Sequence, residues 1–532
     1  MAGVLTECPN ADVLVTSRER LRVQGEHVYS VPVLGREEAR RLFVTRARAV
    51  RPDFEPDELL DDLCARLDDL PLALELAAAR TSLLSTAQLL ERLGTRLDLL
   101  RGGRDAEARQ QTLRATIEWS FELLDSEERT LLAALSLFRG GWTVEAAERV
   151  CEADVELLQS LADKSLIRRW ESGRFGMLET IREFAAEQLS TADEDELLRR
   201  LLDYLLELFE DANLGPHLRG EPRMGLAQEE RPNVDVALAC ATDAEELVLG
   251  FRLMELLEMY WSTNDPMGAR TRVDSLLALA GEDLDSATHS KALRLRGGTF
   301  DMTGRSDLAE PEYERALELL LPFGHTADTT HLILRIANAA SQQGDHVRAK
   351  RLATEALESG AVHWRDEAIG LTVLSKSAFA KGDAEEGARL AHLAADAAER
   401  LGFMWWRGIT LLGAAEQELV LGELEGAKSD FASGLETLAT VRDLVNLPIA
   451  LAAGSALAAR LGDAARAGTL WGALEAEAER EPKQTTIANM KEYEPYLEPV
   501  RGDAFEEGRE QGRTLSLEEA VAYALERDSL DA

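Results

Sequence analysis

Gly344-Asp345-His346-Val347-Arg348-Ala349-Lys350-Arg351-Leu352-Ala353-Thr354-Glu355-Ala356 decides how this chain is read, because its pattern recurs. Glycines stand at turn positions Gly304, Gly344, Gly382, Gly422 and Gly462, spaced 40, 38, 40 and 40 residues. Four of them are followed by an acid: Asp345, Asp383, Glu423 and Asp463. Five residues after each glycine comes a small residue: Ala309, Ala349, Gly387, Ala427 and Ala467. Twelve residues after, Ala316, Ala356, Ala394 and Gly434 repeat the rule, and Leu474 breaks it. Asn264 with Ala269 suits an earlier member. A helical hairpin reverses readily at glycine, and small residues let its two helices approach closely. Each hairpin exposes apolar surface that only a neighbour can bury, so the units stack into a superhelix. The spacing predicts a tetratricopeptide-like solenoid over 195–480, with a period longer than the usual roughly 34 residues.

Composition agrees with a helical, globular chain. Of 532 residues, 45% are hydrophobic and 29% charged, and alanine and leucine dominate. The net charge of −38 repels nucleic acid and anionic membrane and favours a solvated acidic surface or basic partners. Cys8, Cys64, Cys151 and Cys240 stand far apart with no C-x-x-C pair, as free thiols of a reducing compartment do. There is no signal peptide and no apolar run near eighteen residues, so a cytoplasmic location is expected.

Toward the N-terminus, Val13-Leu14-Val15-Thr16 and His27-Val28-Tyr29-Ser30-Val31 suit strands. Helices are expected from Glu37 and from Pro56. Residues 112–190 form a separate unit, with helices over 113–123, 126–137, 144–151 and 155–163. Two strands, Leu166–Trp170 and Arg174–Leu178, are joined by Glu171-Ser172-Gly173, and a long helix over 181–189 leaves the unit. Helices followed by a hairpin is the order of a winged helix. This unit holds nine Lys/Arg against fifteen Asp/Glu, and its candidate recognition helix, Val155–Asp163, has no basic residue. That argues against DNA contact.

The succession of parts resembles the signal-transduction ATPases with numerous domains, the STAND class, in its NB-ARC-like AfsR/LuxR-type regulator group. The resemblance covers nearly the whole chain, except that the first half of the family's ATPase module is missing. It implies a mainly α fold class: a truncated α/β P-loop ATPase remnant (1–50), a helical lid (51–111), a winged helix (112–190), the tetratricopeptide-like α-solenoid (195–480) and a C-terminal helical cap (481–532). Thr16-Ser17-Arg18 looks like the family's sensor motif, in which Arg18 reaches toward the γ-phosphate. Leu70-Pro71-Leu72-Ala73 looks like G-L-P-L-A, with Pro71 against adenine, Leu72 beside it, and Asp69 in place of the glycine. Met177-Leu178-Glu179 aligns with M-H-D, where Leu178 replaces the histidine that touches the β-phosphate. Gly508–Leu525 looks like the usual end of such chains.

No G-x-x-x-x-G-K-[ST] loop occurs, and no apolar strand ends in paired acids for Mg²⁺. The nucleotide site is therefore incomplete: ATP or ADP with Mg belongs to the complete family module, and this chain alone is expected to hold no cofactor and to hydrolyse no ATP. Its eight histidines form no H-E-x-x-H motif, a G-x-S-x-G elbow is absent, and no metal or catalytic residue is expected. Arg101-Gly102-Gly103-Arg104 and Arg139-Gly140-Gly141 read as interhelix turns rather than phosphate loops. Trp405-Trp406 read as core packing first and as a groove lining second. The function expected is a regulatory scaffold whose superhelix binds an inducer or a protein partner. Alternatives are a transcriptional or cyclase-linked regulator whose effector lies outside this reading frame, and a pure interaction scaffold with Val13–Thr16 as a sheet edge. Self-association stays open.

Overall fold

The structure, a computed structural model, describes residues 29, 32–93, 113–170, 173–212, 214, 223–239, 244–281, 284–359, 365–480 and 484–526. The strand read at Val13–Thr16, nearly all of that at His27–Val31, the sensor residue Arg18 and the Arg101–Arg104 turn lie outside these residues. Two compact units emerge: Met1–Tyr204 with Glu230–Cys240, and Leu205–Glu229 with Ala241–Ala532.

In the first unit, helix Arg36–Val50 buries Ala39, Phe43 and Ala47, one stripe at four-residue spacing. Phe43 meets Phe54 with ring centroids 5.9 Å apart. The helix expected from Pro56 begins instead at Leu60. The Asp57 carboxylate accepts from Leu59 N at 3.2 Å, and this local turn competes with helix over 57–59. Pro71 occupies the first turn of helix Pro71–Ala78, where its missing N–H costs nothing.

Helices Leu113–Glu122, Ser126–Leu135, Val144–Cys151 and Val155–Asp163 follow. A capping box of Asp125 and Glu128 starts the second, and Thr143 and Asp154 cap the next two. The hairpin strands are shorter than the sequence suggested. Arg168–Arg169 pairs antiparallel with Phe175–Gly176, and Trp142 bridges to Phe175 on the other side. The helix after the hairpin is Glu179–Ala186, not a long one. The chain breaks near Ser190, whose hydroxyl accepts from Asp193 N at 3.2 Å and opens the longer helix Thr191–Glu210.

The second unit is a solenoid of helical hairpins. Five of them pair Ser286–Met302 with Ser306–Leu320, Ala327–Gln342 with His346–Glu358, Asp366–Phe379 with Ala384–Arg400, Met404–Leu421 with Leu424–Thr440, and Leu447–Leu461 with Ala464–Arg480. Gly304, Gly344, Gly382, Gly422 and Gly462 sit at the five reversals with φ of 75°, 86°, 85°, 81° and 83°, where a side chain would be strained. Ala309, Ala349 and Ala467 are fully buried, as are Ala316 and Ala394. Leu474 is fully buried too, although larger. Between the first two of these hairpins, Leu293, Tyr313, Leu332 and Ile336 form a core with Ala309 and Ala316. Helices Gln484–Tyr493, Asp503–Gly512 and Leu517–Leu525 follow. No described helix is long and apolar enough to cross a membrane.

Candidate functional site

The first helix of each hairpin turns one face to a shared groove, a cavity of about 280 Å³. From Ala327–Gln342 come His331, Arg335, Asn338 and Gln342, and from the next hairpin Arg365, Ile369, Thr372 and Lys376. Both sets recur every three or four residues, which puts each on one helical face. Trp405 and Trp406 line the groove from the following helix, and Val445, Asn446 and Ile449 continue it.

The groove is built from ion pairs that cross hairpins. Arg335 reaches Asp301 at 3.2 Å, and the Tyr313 hydroxyl donates to the same carboxylate at 2.8 Å. Gly297 makes room for that tyrosine, since a Cβ there would lie 2.5 Å from its ring. Arg294 pairs with Glu258 at 2.6 Å. Burial pushes the Glu258 carboxyl up, but Arg294 and Arg365 outweigh it and hold it at about 2. One Glu258 oxygen, Oε2, has no hydrogen-bond partner.

His331 links the groove to the interior. Its Nδ1 lies 2.7 Å from the fully buried Asp366 carboxylate, and an Arg365 N–H donates to its Nε2 at 3.2 Å. Those partners fix the neutral tautomer with the proton on Nδ1. Burial first, then the Arg365 charge, pull this imidazole down to about 4, so it stays uncharged at neutral pH.

The aromatic wall is equally fixed. Phe403 stacks on Trp406 with centroids 5.7 Å apart, and Trp405 meets Trp406 edge-on at 5.7 Å. The Trp406 indole N–H donates to Thr372 at 2.9 Å. Trp405 and Trp406 are thus both nearly buried and in the groove wall, so the two readings of this pair are compatible. Glu258, Asp301, His331, Arg335, Arg365 and Lys376 were not singled out from the sequence. For Glu258, Asp301 and His331 the signal is a titratable residue answered by a partner 34 to 36 residues on.

The described nucleotide-motif residues stand in the first unit. Asp69 has φ of +51°, a conformation that glycine adopts more readily. Its neighbour Asp68 accepts from the backbone N–H groups of Glu179 and Thr180 at 2.8 and 3.0 Å. This brings the loop before Pro71 against Met177-Leu178-Glu179 and caps helix Glu179–Ala186. Arg66 pairs with Glu179 and, at 2.7 Å, with Glu183, and Arg182 pairs with Glu179 at 2.6 Å. The N–H groups that could cradle a phosphate here are already taken by a carboxylate. The Arg139-Gly140-Gly141 turn donates its N–H groups to Asn233 Oδ1, at 3.0 Å from Arg139 and 3.2 Å from Gly140.

No family model matches the chain. Over 274 residues it is 32% identical to a protein of Mycobacterium tuberculosis named as an HTH-type transcriptional regulator, a match that covers 48% of this chain and 31% of that protein. Over 396 residues it is 25% identical to the regulatory protein AfsR of Streptomyces coelicolor, covering 69% of this chain and 37% of AfsR. The chain therefore spans about a third of the length of these curated relatives. A STAND protein with a tetratricopeptide repeat sensor from Pyrococcus horikoshii aligns over 93% of this chain and 74% of its own, at 18% identity and a TM-score of 0.38. By sequence, the chain is related to the AfsR-type and helix-turn-helix-type regulators of actinobacteria.

Proposed function

We propose that this chain is the sensing part of an AfsR-type transcriptional regulator, and that its solenoid groove binds the inducer. The observation that carries this is the combination of a cavity of about 280 Å³, a preformed wall of Phe403, Trp405 and Trp406, and the cations Arg335, Arg365 and Lys376. Apolar walls with a few convergent polar groups are what small-ligand sites have in common. These three cations face two groove carboxylates, Glu258 and Asp301, and the one positive charge left over, in a chain of net charge −38, favours an anionic ligand. The inducer is a small aromatic carboxylate or a short acidic peptide segment. Occupancy of the groove is passed to the N-terminal unit, and the chain alone does not hydrolyse ATP.

Thermal-shift titration of the purified chain with aromatic carboxylates and short acidic peptides tests the binding step. Ligands that stabilise the wild type and not Lys376→Glu or Trp406→Ala support it. Ligands that stabilise all three equally place binding elsewhere and defeat the reading. Phosphate release from ATP by the purified chain, measured colorimetrically, would refute the expectation of no hydrolysis.

A further inference from the structure

His392, Glu418 and Asp430 come from three successive solenoid helices, Ala384–Arg400, Met404–Leu421 and Leu424–Thr440. One ligand atom from each lies within 4.8 Å of the others. His392 Nε2 is 2.6 Å from Asp430 Oδ2 and 3.6 Å from Glu418 Oε1. An ordinary surface ion pair of His392 and Asp430 would not bring a second carboxylate to the same nitrogen. Glu418 is only 6% exposed, and its Oε2 has no hydrogen-bond partner. Gly426 makes that placement possible, since a Cβ there would stand 2.7 Å from Glu418 Oε2.

The local charge is unbalanced in the direction a cation corrects. Two carboxylates, Glu418 and Asp430, face the one imidazole of His392. A buried carboxylate of this kind is costly unless a positive charge meets it.

We infer that His392, Glu418 and Asp430 form a binding site for a divalent transition-metal ion of the zinc class. One imidazole nitrogen and two carboxylate oxygens suit Zn²⁺, Mn²⁺ or Co²⁺ rather than Mg²⁺ or Ca²⁺, which prefer all-oxygen shells. Donors around a tetrahedral ion with bonds of about 2.1 Å stand about 3.4 Å apart. The His392–Glu418 distance already meets this, and the ion replaces the proton that His392 shares with Asp430 as that pair opens slightly. His392 is 43% exposed in its side chain, which leaves the fourth position to water or to a partner's ligand. The site ties two adjacent hairpins together and is independent of the inducer groove.

The test is isothermal titration of the EDTA-stripped full chain with ZnCl₂, alongside Glu418→Gln and His392→Ala. The wild type is expected to bind one equivalent that each variant loses or binds at least about tenfold more weakly. Glu418→Gln keeps the shape of the side chain, and matching metal-free melting curves show that it folds. Cobalt provides a second readout: four-coordinate Co²⁺ gives visible bands that disappear in both variants, without the thiolate absorption that Cys64 or Cys151 would add. No Zn²⁺ binding by the wild type, or binding and cobalt spectra unchanged in both variants, overturns the assignment.

Discussion

Trp405 donates its indole N–H to the carboxylate of Asp443, 2.7 Å away and one hairpin further along the chain. Asp443 is fully buried and also accepts from Val445 N and Asn446 N, both at 2.9 Å, and from the Asn446 side chain at 2.6 Å. One carboxylate thus shapes the link between two hairpins and fixes a groove tryptophan. Asp443→Ala strands these donors and should cost about 3 kcal/mol in urea unfolding. Trp405→Phe, which removes a single donor, should cost about 1–2 kcal/mol. Equal and negligible effects of the two substitutions would show that the link holds its shape without the carboxylate.

Glu416 carries a pH dependence. Burial first, and then the nearby Glu492 carboxylate, raise its carboxyl to about 7, against the attraction of Lys376 and a hydrogen bond from Tyr493. Tyr496 faces it as well. The folded-state value lies above the unfolded one, so the contribution to stability is full below about pH 4.5 and is lost as pH rises through 7. The wild type should lose on the order of 2 kcal/mol relative to Glu416→Gln between pH 5 and pH 8. Parallel stability–pH curves for the two proteins would rule this out.

The solenoid was legible because its signals are local. Gly344 and its counterparts reverse the chain within a few residues, and Ala349 or Ala356 report a close helix approach without reference to any distant position. The groove was not legible, because Arg335 acquires its role only when Asp301 on the previous hairpin faces it. Alone, each is one more charged residue in a chain rich in them. The misplaced helix start at Pro56 has a similar origin: proline and acids permit a first turn there, but the Asp57 side chain offers the backbone a nearer partner. Trp405 and Trp406 show the limit of a choice between core and site, since a groove wall is core on one side.

Asp69 stands at a position whose backbone asks for glycine. Its φ is +51°, and its Oδ1 is buried with no hydrogen-bond partner. Both features cost stability. Asp69→Gly removes both, against a smaller entropic cost in the unfolded chain. It should stabilise the first unit by about 1 kcal/mol in thermal melts. Asp68→Ala should do the opposite by about 1–2 kcal/mol, because helix Glu179–Ala186 loses its cap. Faster hydrogen exchange over 179–186 in Asp68→Ala, and not in Asp69→Gly, would assign the loss to that cap.

Helix Asp503–Gly512 lies on Ala464–Arg480 at backbone contact. A Cβ at Gly472 would stand 2.0 Å from the Arg509 carbonyl oxygen, and one at Gly512 would stand 1.9 Å from that of Thr469. Gly468 and Gly508 repeat the contact one turn earlier, against Phe505 and Ala465. No rotamer relieves such a clash, since both partners are main chain. Arg509 and Arg513 then pair with Glu475 at 2.8 and 3.3 Å along the same seam. Gly472→Val should force the helices apart and cost at least about 3 kcal/mol. Glu475→Gln, which weakens the ion pairs and keeps an oxygen for the Trp471 indole N–H, should cost about 1 kcal/mol. Gly502→Ala, where a Cβ meets nothing within 4 Å, should change stability by less than about 0.5 kcal/mol. Hydrogen exchange over 503–512 separates the outcomes. Loss of protection in Gly472→Val alone makes close backbone approach the element that holds the C-terminal helix, whereas equal loss in Glu475→Gln would transfer that role to the ion pairs.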